Sequence, residues 1–148
     1  MTQGARGWRD LIAAAPKSAE ILLVEDGAGD RRMTQTIVEY LGYEVKSASS
    51  AEEADSWMNS TEFDLVLLDI DLPKMNGVEF LTWALSRQPD LAVIMLTGRT
   101  EPELAMECID QGARTYLVKP FDVEFLKRAV RDALMVRELL QERNRLVG

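Results

Sequence analysis

The chain alternates continuous apolar runs of strand length with stretches whose apolar residues return every three or four positions. "EILLVED", "FDLVLLD" and "LAVIMLT" are runs of the first kind, "TYLV" is a shorter one, and "YEVKSAS" alternates as a half-buried strand does. Between them, Met33, Ile37 and Leu41 recur at helical spacing, and Gly42 closes that helix. Ser50 with Glu53 predicts a capping box ahead of a helix carrying Ala54, Trp57 and Met58. A third helix is expected over residues 78–87. Thr100 with Glu103 predicts a second capping box, for a helix with Pro102 in its first turn that runs to Gln111 and stops at Gly112. Its core stripe is expected to be Leu104, Ala105, Cys108 and Ile109. A long final helix begins near Asp122, seated by Leu126, Val130 and Ala133.

The order is a strand followed by a helix, five times over. Strands apolar throughout, alternating with amphipathic helices, imply a parallel sheet covered on both faces: an open, doubly wound α/β domain. Residues 1–18 read as an N-terminal extension with one helical turn over residues 8–15. Residues 19–137 read as the domain. Residues 138–148 read as a helical linker or tail, because Met135, Leu139, Leu140 and Leu146 continue the helical pattern past what the sheet needs. Leucines without a partner point to a helix leaving the domain, as a signalling linker or short coiled coil toward an output module.

Composition narrows the chemistry. A length of 148 residues suits one domain, and a net charge of −8 argues against a nucleic-acid-binding surface. The single cysteine, Cys108, allows no internal disulfide and reads as packing. The stretch "LIAAA" is too short for a signal peptide or a membrane span, so a soluble cytoplasmic protein is expected. The absence of histidine excludes Ser-His and Cys-His pairs and imidazole metal ligands. Any metal must be held by oxygens, which favours Mg²⁺ or Ca²⁺ over zinc.

In a doubly wound sheet the ligand site lies beyond the carboxyl ends of the strands. The first strand ends in Glu25-Asp26, the third in Asp69, the fourth in Thr97, and the fifth runs into Lys119-Pro120. Singly, each has a plain structural reading as a helix cap, a strand end or a solvated lysine. Together they bring acids, a hydroxyl and an ammonium to one edge. Crowded carboxylates repel unless a cation intervenes. Asp26 and Asp69 are therefore expected to give Mg²⁺ one oxygen each, with a backbone carbonyl from the following loop and waters completing the shell. A metal beside a carboxylate and a lysine suits phosphoryl transfer, with Asp69 as the nucleophile.

The pieces "ILLVED", "DLVLLDIDLPKMNG", "IMLTG" and "GARTYLVKPF" make the chain resemble the receiver domains of bacterial two-component response regulators. The resemblance covers about residues 19–137 and implies a five-stranded sheet in the order 2-1-3-4-5. It implies that Asp69 accepts a phosphoryl group from a phosphohistidine on a sensor kinase or phosphotransfer protein. It further implies that Asp26 binds Mg²⁺ directly, that Glu25 acts through water, and that Asp71 gives the metal its backbone carbonyl. Lys119 would contact the phosphoryl group, with a cis peptide to Pro120, and Thr97 would bond it through its hydroxyl. Tyr116 occupies the position of the family's switch aromatic. The fourth helix, fifth strand and fifth helix would form the face that changes, used for a homodimer or for output contacts, with the C-terminal helix as the other dimer surface. Such a domain catalyses only its own phosphorylation and dephosphorylation and touches neither nucleic acid nor membrane directly.

Asp71 and Arg99 depart from the common pattern of the family. They are expected to approach each other across the mouth of the site and to restrict the water that hydrolyses the acyl phosphate; the alternative is two solvated side chains. Two other readings of the whole chain stand beside the main one. "DIDLP" also resembles the Asp-x-Asp motif of haloacid-dehalogenase-type phosphatases, although there the nucleophile ends the first strand. A receiver-shaped interaction module that takes no phosphate is the other.

Overall fold

A computed structural model describes residues 19–147; the expected helical turn over residues 8–15 lies outside them. The elements run β1 (Glu20–Val24), α1 (Ala28–Tyr40), β2 (Glu44–Ala48), α2 (Ala51–Ser60), β3 (Leu65–Leu68), α3 (Gly77–Arg87), β4 (Ala92–Thr97), α4 (Pro102–Asp110), β5 (Thr115–Val118) and α5 (Val123–Val147). All strands are parallel, in the order β2-β1-β3-β4-β5.

The period of two along each strand divides the apolar residues between the two faces of the sheet. Leu22, Val24, Val66, Leu68, Val93 and Met95 face one way and pack on Ala54 and Met58 of α2, Phe80 and Ala84 of α3 and Cys108 of α4. Ile21, Leu23, Leu65, Leu67, Ile94 and Leu96 face the other way, onto Val38 of α1 and Leu126, Val130, Ala133 and Leu134 of α5. Strands buried on both faces explain why their sequences are apolar without alternation. No helix among the described residues is long and apolar enough to cross a membrane.

Three local expectations need correction. In α1 the residues facing the sheet are Thr34 and Val38, with Ile37 half-buried and Met33 largely exposed. The helix is turned from the expected stripe, and the hydroxyl of Thr34 disguised a core position. In α4 only Cys108 is fully buried, while Ile109 is exposed. This helix lies over β5, an edge strand that is itself only half-buried, so little apolar surface is there to cover. The Thr100–Glu103 box does not form. Pro102 takes the first helical position, where its fixed φ and missing N–H suit it, and Glu101 becomes the N-cap without a side-chain bond.

The Ser50 cap does form, accepting the Glu53 N–H at 3.1 Å, although the Glu53 carboxylate reaches back to the Ser49 N–H at 2.6 Å rather than to that of Ser50. Asn76 caps α3 by accepting the Glu79 N–H at 2.9 Å. Gly42 and Gly112 end α1 and α4 at positive φ, 101° and 113°, where a side chain would be strained.

Candidate phosphoryl-acceptor site

The site is an extension of the sheet. Beyond the last residues of β1 and β3, Glu25 N–H donates to the Ala48 carbonyl at 2.9 Å and Asp69 N–H to the Val24 carbonyl at 3.0 Å. Backbone ladder bonds thus carry both acids to the carboxyl edge, with Glu25, Asp69 and Thr97 buried and Asp26 exposed. Among the described residues, Glu25, Asp26 and Asp69 form a group in which one carboxylate oxygen from each lies within 4.8 Å of the other two. An oxygen-only set at that separation fits a hard divalent cation such as Mg²⁺.

Lys119 comes in from β5. Its N–H donates to the Thr97 carbonyl at 2.8 Å, and the peptide to Pro120 is cis. Its ammonium donates to Glu25, to Asp69 Oδ2 at 3.3 Å and to Asp30 Oδ2 at 3.3 Å. Burial alone would pull this lysine's pKa down, but the hydrogen bond to Glu25 and the charges of Asp69 and Glu25 more than offset it, so the ammonium is held charged. Burial pushes the Glu25 carboxyl up; the bonds from Lys119 and from the Gly27 N–H oppose this, and neighbouring Asp69 adds to it. Asp69 divides its two oxygens, Oδ2 to the ammonium and Oδ1 to the Asp71 N–H at 3.1 Å.

The outer rim holds the remaining expected residues. Thr97 Oγ1 accepts the Arg99 N–H at 3.2 Å, which leaves the hydroxyl proton free to donate elsewhere. Tyr116 donates its hydroxyl to the Arg99 carbonyl at 3.0 Å. The Arg99 guanidinium reaches Asp71 Oδ1 at 3.4 Å, but its nearer partner is Glu101, at 2.7 Å. Burial and the charge of Glu107 push the Cys108 thiol up, as suits a packing residue.

Two contributors escaped the sequence reading. Asp30 is one, through its bond to Lys119. Arg31 is the other: its guanidinium donates to the carbonyls of Glu25 at 2.9 Å and Asp26 at 3.2 Å, pinning the loop that bears the acidic pair. The available signal was their place one turn after that pair, at the start of a helix that had to begin near the site.

Comparison with known proteins identifies the family and the fold. The family model described as the response regulator receiver domain matches residues 21–131. The alginate biosynthesis transcriptional regulatory protein AlgB of Pseudomonas syringae pv. tomato is 35% identical over 136 residues, covering 92% of this chain and 30% of AlgB. A CheY-like receiver domain protein from Methanospirillum hungatei superposes with a TM-score of 0.78 at 33% identity, over 82% of this chain and 97% of that one. NtrX from Brucella abortus, in a structure with ADP, gives 0.84 at 30% identity, over 87% of this chain and 30% of NtrX. The chain thus spans less than a third of the length of AlgB or of NtrX.

Proposed function

This chain belongs to the response regulator receiver domain family, the phospho-accepting modules of two-component signalling, and we propose that Asp69 is its acceptor. The observation that carries this reading is the position of the Asp69 carboxylate, which lies at the end of a central strand in reach of two other acids and 3.3 Å from the Lys119 ammonium. The donor is a phosphohistidine of a sensor kinase or a phosphotransfer protein. An Asp69 oxygen bonds to phosphorus as the P–N bond breaks and the imidazole keeps the electron pair. Asp26 and Asp69, the Asp71 carbonyl and, through water, Glu25 would hold Mg²⁺. When bound, that ion supplies positive charge beside the transferring oxygens. Lys119 neutralises a further oxygen, and the free proton of Thr97 turns to another.

The consequence is a switch, with no turnover beyond the chain's own phosphorylation and dephosphorylation. Thr97, Arg99 and Tyr116 are joined by hydrogen bonds, so a Thr97 drawn toward the phosphoryl group loosens the Arg99 N–H and the carbonyl that Tyr116 holds. Tyr116 then rotates inward and alters the face formed by α4, β5 and α5, where Met106, Ile109, Val118 and Phe125 are exposed. That face, or the C-terminal helix, serves a homodimer or an output module following residues 138–148. The reading places the protein in the cytoplasm, without direct contact to nucleic acid or membrane.

Incubation with acetyl phosphate and Mg²⁺, followed by intact mass measurement, tests it. One added phosphoryl group is expected, absent from Asp69→Asn. Uptake by Asp69→Asn at the parental rate would overturn the assignment, as would sustained hydrolysis of phosphomonoesters.

A further inference from the structure

An ammonium has three protons, and Lys119 has three carboxylate partners: Glu25, Asp69 and Asp30. The proposed chemistry engages two of them elsewhere, Glu25 toward the metal and Asp69 with the phosphoryl group. Asp30 is the partner that neither event removes. It stands in the first turn of α1, half exposed, and Gly27, Ala28 and Gly29 separate it from the acidic pair. No side chain longer than a methyl intervenes along that turn. An acid there also complements the helix dipole, but that role needs no lysine 3.3 Å away.

We propose that Asp30 is a positioning residue that holds the Lys119 ammonium toward the α1 side of the site and thereby restrains phosphoryl uptake by Asp69. Two effects act in the same direction. The lysine must turn part of its charge from Asp30 to the incoming phosphoryl oxygens, and a carboxylate at the mouth repels an anionic donor. The proposal rests on the assignment of Asp69 as acceptor and Lys119 as its phosphoryl partner.

The test compares Asp30→Asn, which keeps the shape and removes the charge, with Asp30→Glu, which keeps the charge. Phosphorylation is followed by intact mass against acetyl phosphate concentration at saturating Mg²⁺. The ¹⁵N–¹H signal of the Lys119 ammonium is recorded by NMR at constant pH without metal or donor. Asp30→Asn is expected to raise the rate constant roughly two- to fivefold, with the gain fading at high salt, and to move the Lys119 signal. Asp30→Glu stays near the parent in both. An Asp30→Asn protein with an unmoved signal, or with a parental or slower rate, overturns the proposal, as does an Asp30→Glu protein that behaves like Asp30→Asn. Failure of the parent itself to take phosphate on Asp69 would overturn the acceptor assignment and this proposal together. That case is told apart because the unsubstituted protein is the one that fails.

Discussion

Gly77 lies so close beneath the Asp69–Ile70 backbone that a Cβ at position 77 would stand 2.5 Å from the Asp69 carbonyl oxygen and 2.6 Å from Ile70 Cα. Its N–H closes the loop by donating to the Ile70 carbonyl at 2.6 Å. The need for glycine here is one of space: the first turn of α3 is pressed against the residue that carries the acceptor. Both obstructing atoms are backbone and cannot swing aside. Gly77→Ala is therefore expected to cost about 1–3 kcal/mol, as overpacking does, and to slow phosphoryl uptake by displacing Asp69. Urea unfolding and acetyl phosphate labelling measure the two effects, and a variant matching the parent in both would show that the loop yields freely.

Arg99 spans the mouth of the site between Asp71 and Glu101. If this bridge limits the access of water to the acyl phosphate, Arg99→Ala shortens the phosphoryl half-life. An exposed pair has little energy to spend, so the expected change is only a few-fold, roughly two- to fivefold. Half-life is read from loss of the added mass after removal of the donor. An unchanged half-life would leave Arg99 and Asp71 as solvated side chains.

Arg31 holds the carbonyls of Glu25 and Asp26 from one side chain, on a loop with glycine at positions 27 and 29. Without it those carbonyls turn to water, and the loop gains freedom that a bound cation must then remove. Arg31→Met is expected to weaken Mg²⁺ binding several-fold in titration calorimetry while lowering folding stability by under about 1 kcal/mol. Equal Mg²⁺ affinity in variant and parent would refute the clamp.

Much of this arrangement was legible in the sequence, because its strongest signals are local. Continuous apolar runs marked β1, β3 and β4, and each ended on a polar group that had to emerge at the same edge once the strands were parallel. Asp26, Asp69, Thr97 and Lys119 could be brought together by counting strand ends alone. What failed was rotation about a helix axis. Thr34 replaced Met33 in the core, and Ile109 turned outward, since a shift of one residue along a helix alters the face while leaving the period intact. Asp30 and Arg31 were only partly legible for a related reason: their place one turn after the acidic pair is visible, but their roles depend on where the first turn of α1 points, which no spacing in the chain specifies.

The far end of the domain is clasped by α5. Arg137 donates to Asp64 Oδ1 at 2.9 Å, while Asp64 Oδ2 accepts the Glu20 N–H at 2.9 Å at the start of β1. One turn later Gln141 donates to Asp90 Oδ2 at 2.8 Å, so the helix is tied to the residues preceding β4 beyond position 137. The bond from Gln141 holds the Asp90 carboxyl below its ordinary value; burial opposes it, and the charge of Arg137 adds to the lowering. A carboxyl lowered in the folded state contributes stability above its unfolded value, and that stability is lost as pH falls through the folded one. Gln141→Ala removes the main cause. The parent should therefore exceed the variant by under about 1 kcal/mol near neutral pH, with the gap closing as pH drops below the ordinary carboxylate value of 3.8. Urea midpoints for the two proteins at about pH 6 and at about pH 3 decide the matter. A gap independent of pH would mean that Gln141 acts through packing rather than through the charge of Asp90, and no gap at all would mean that α5 needs no clasp there.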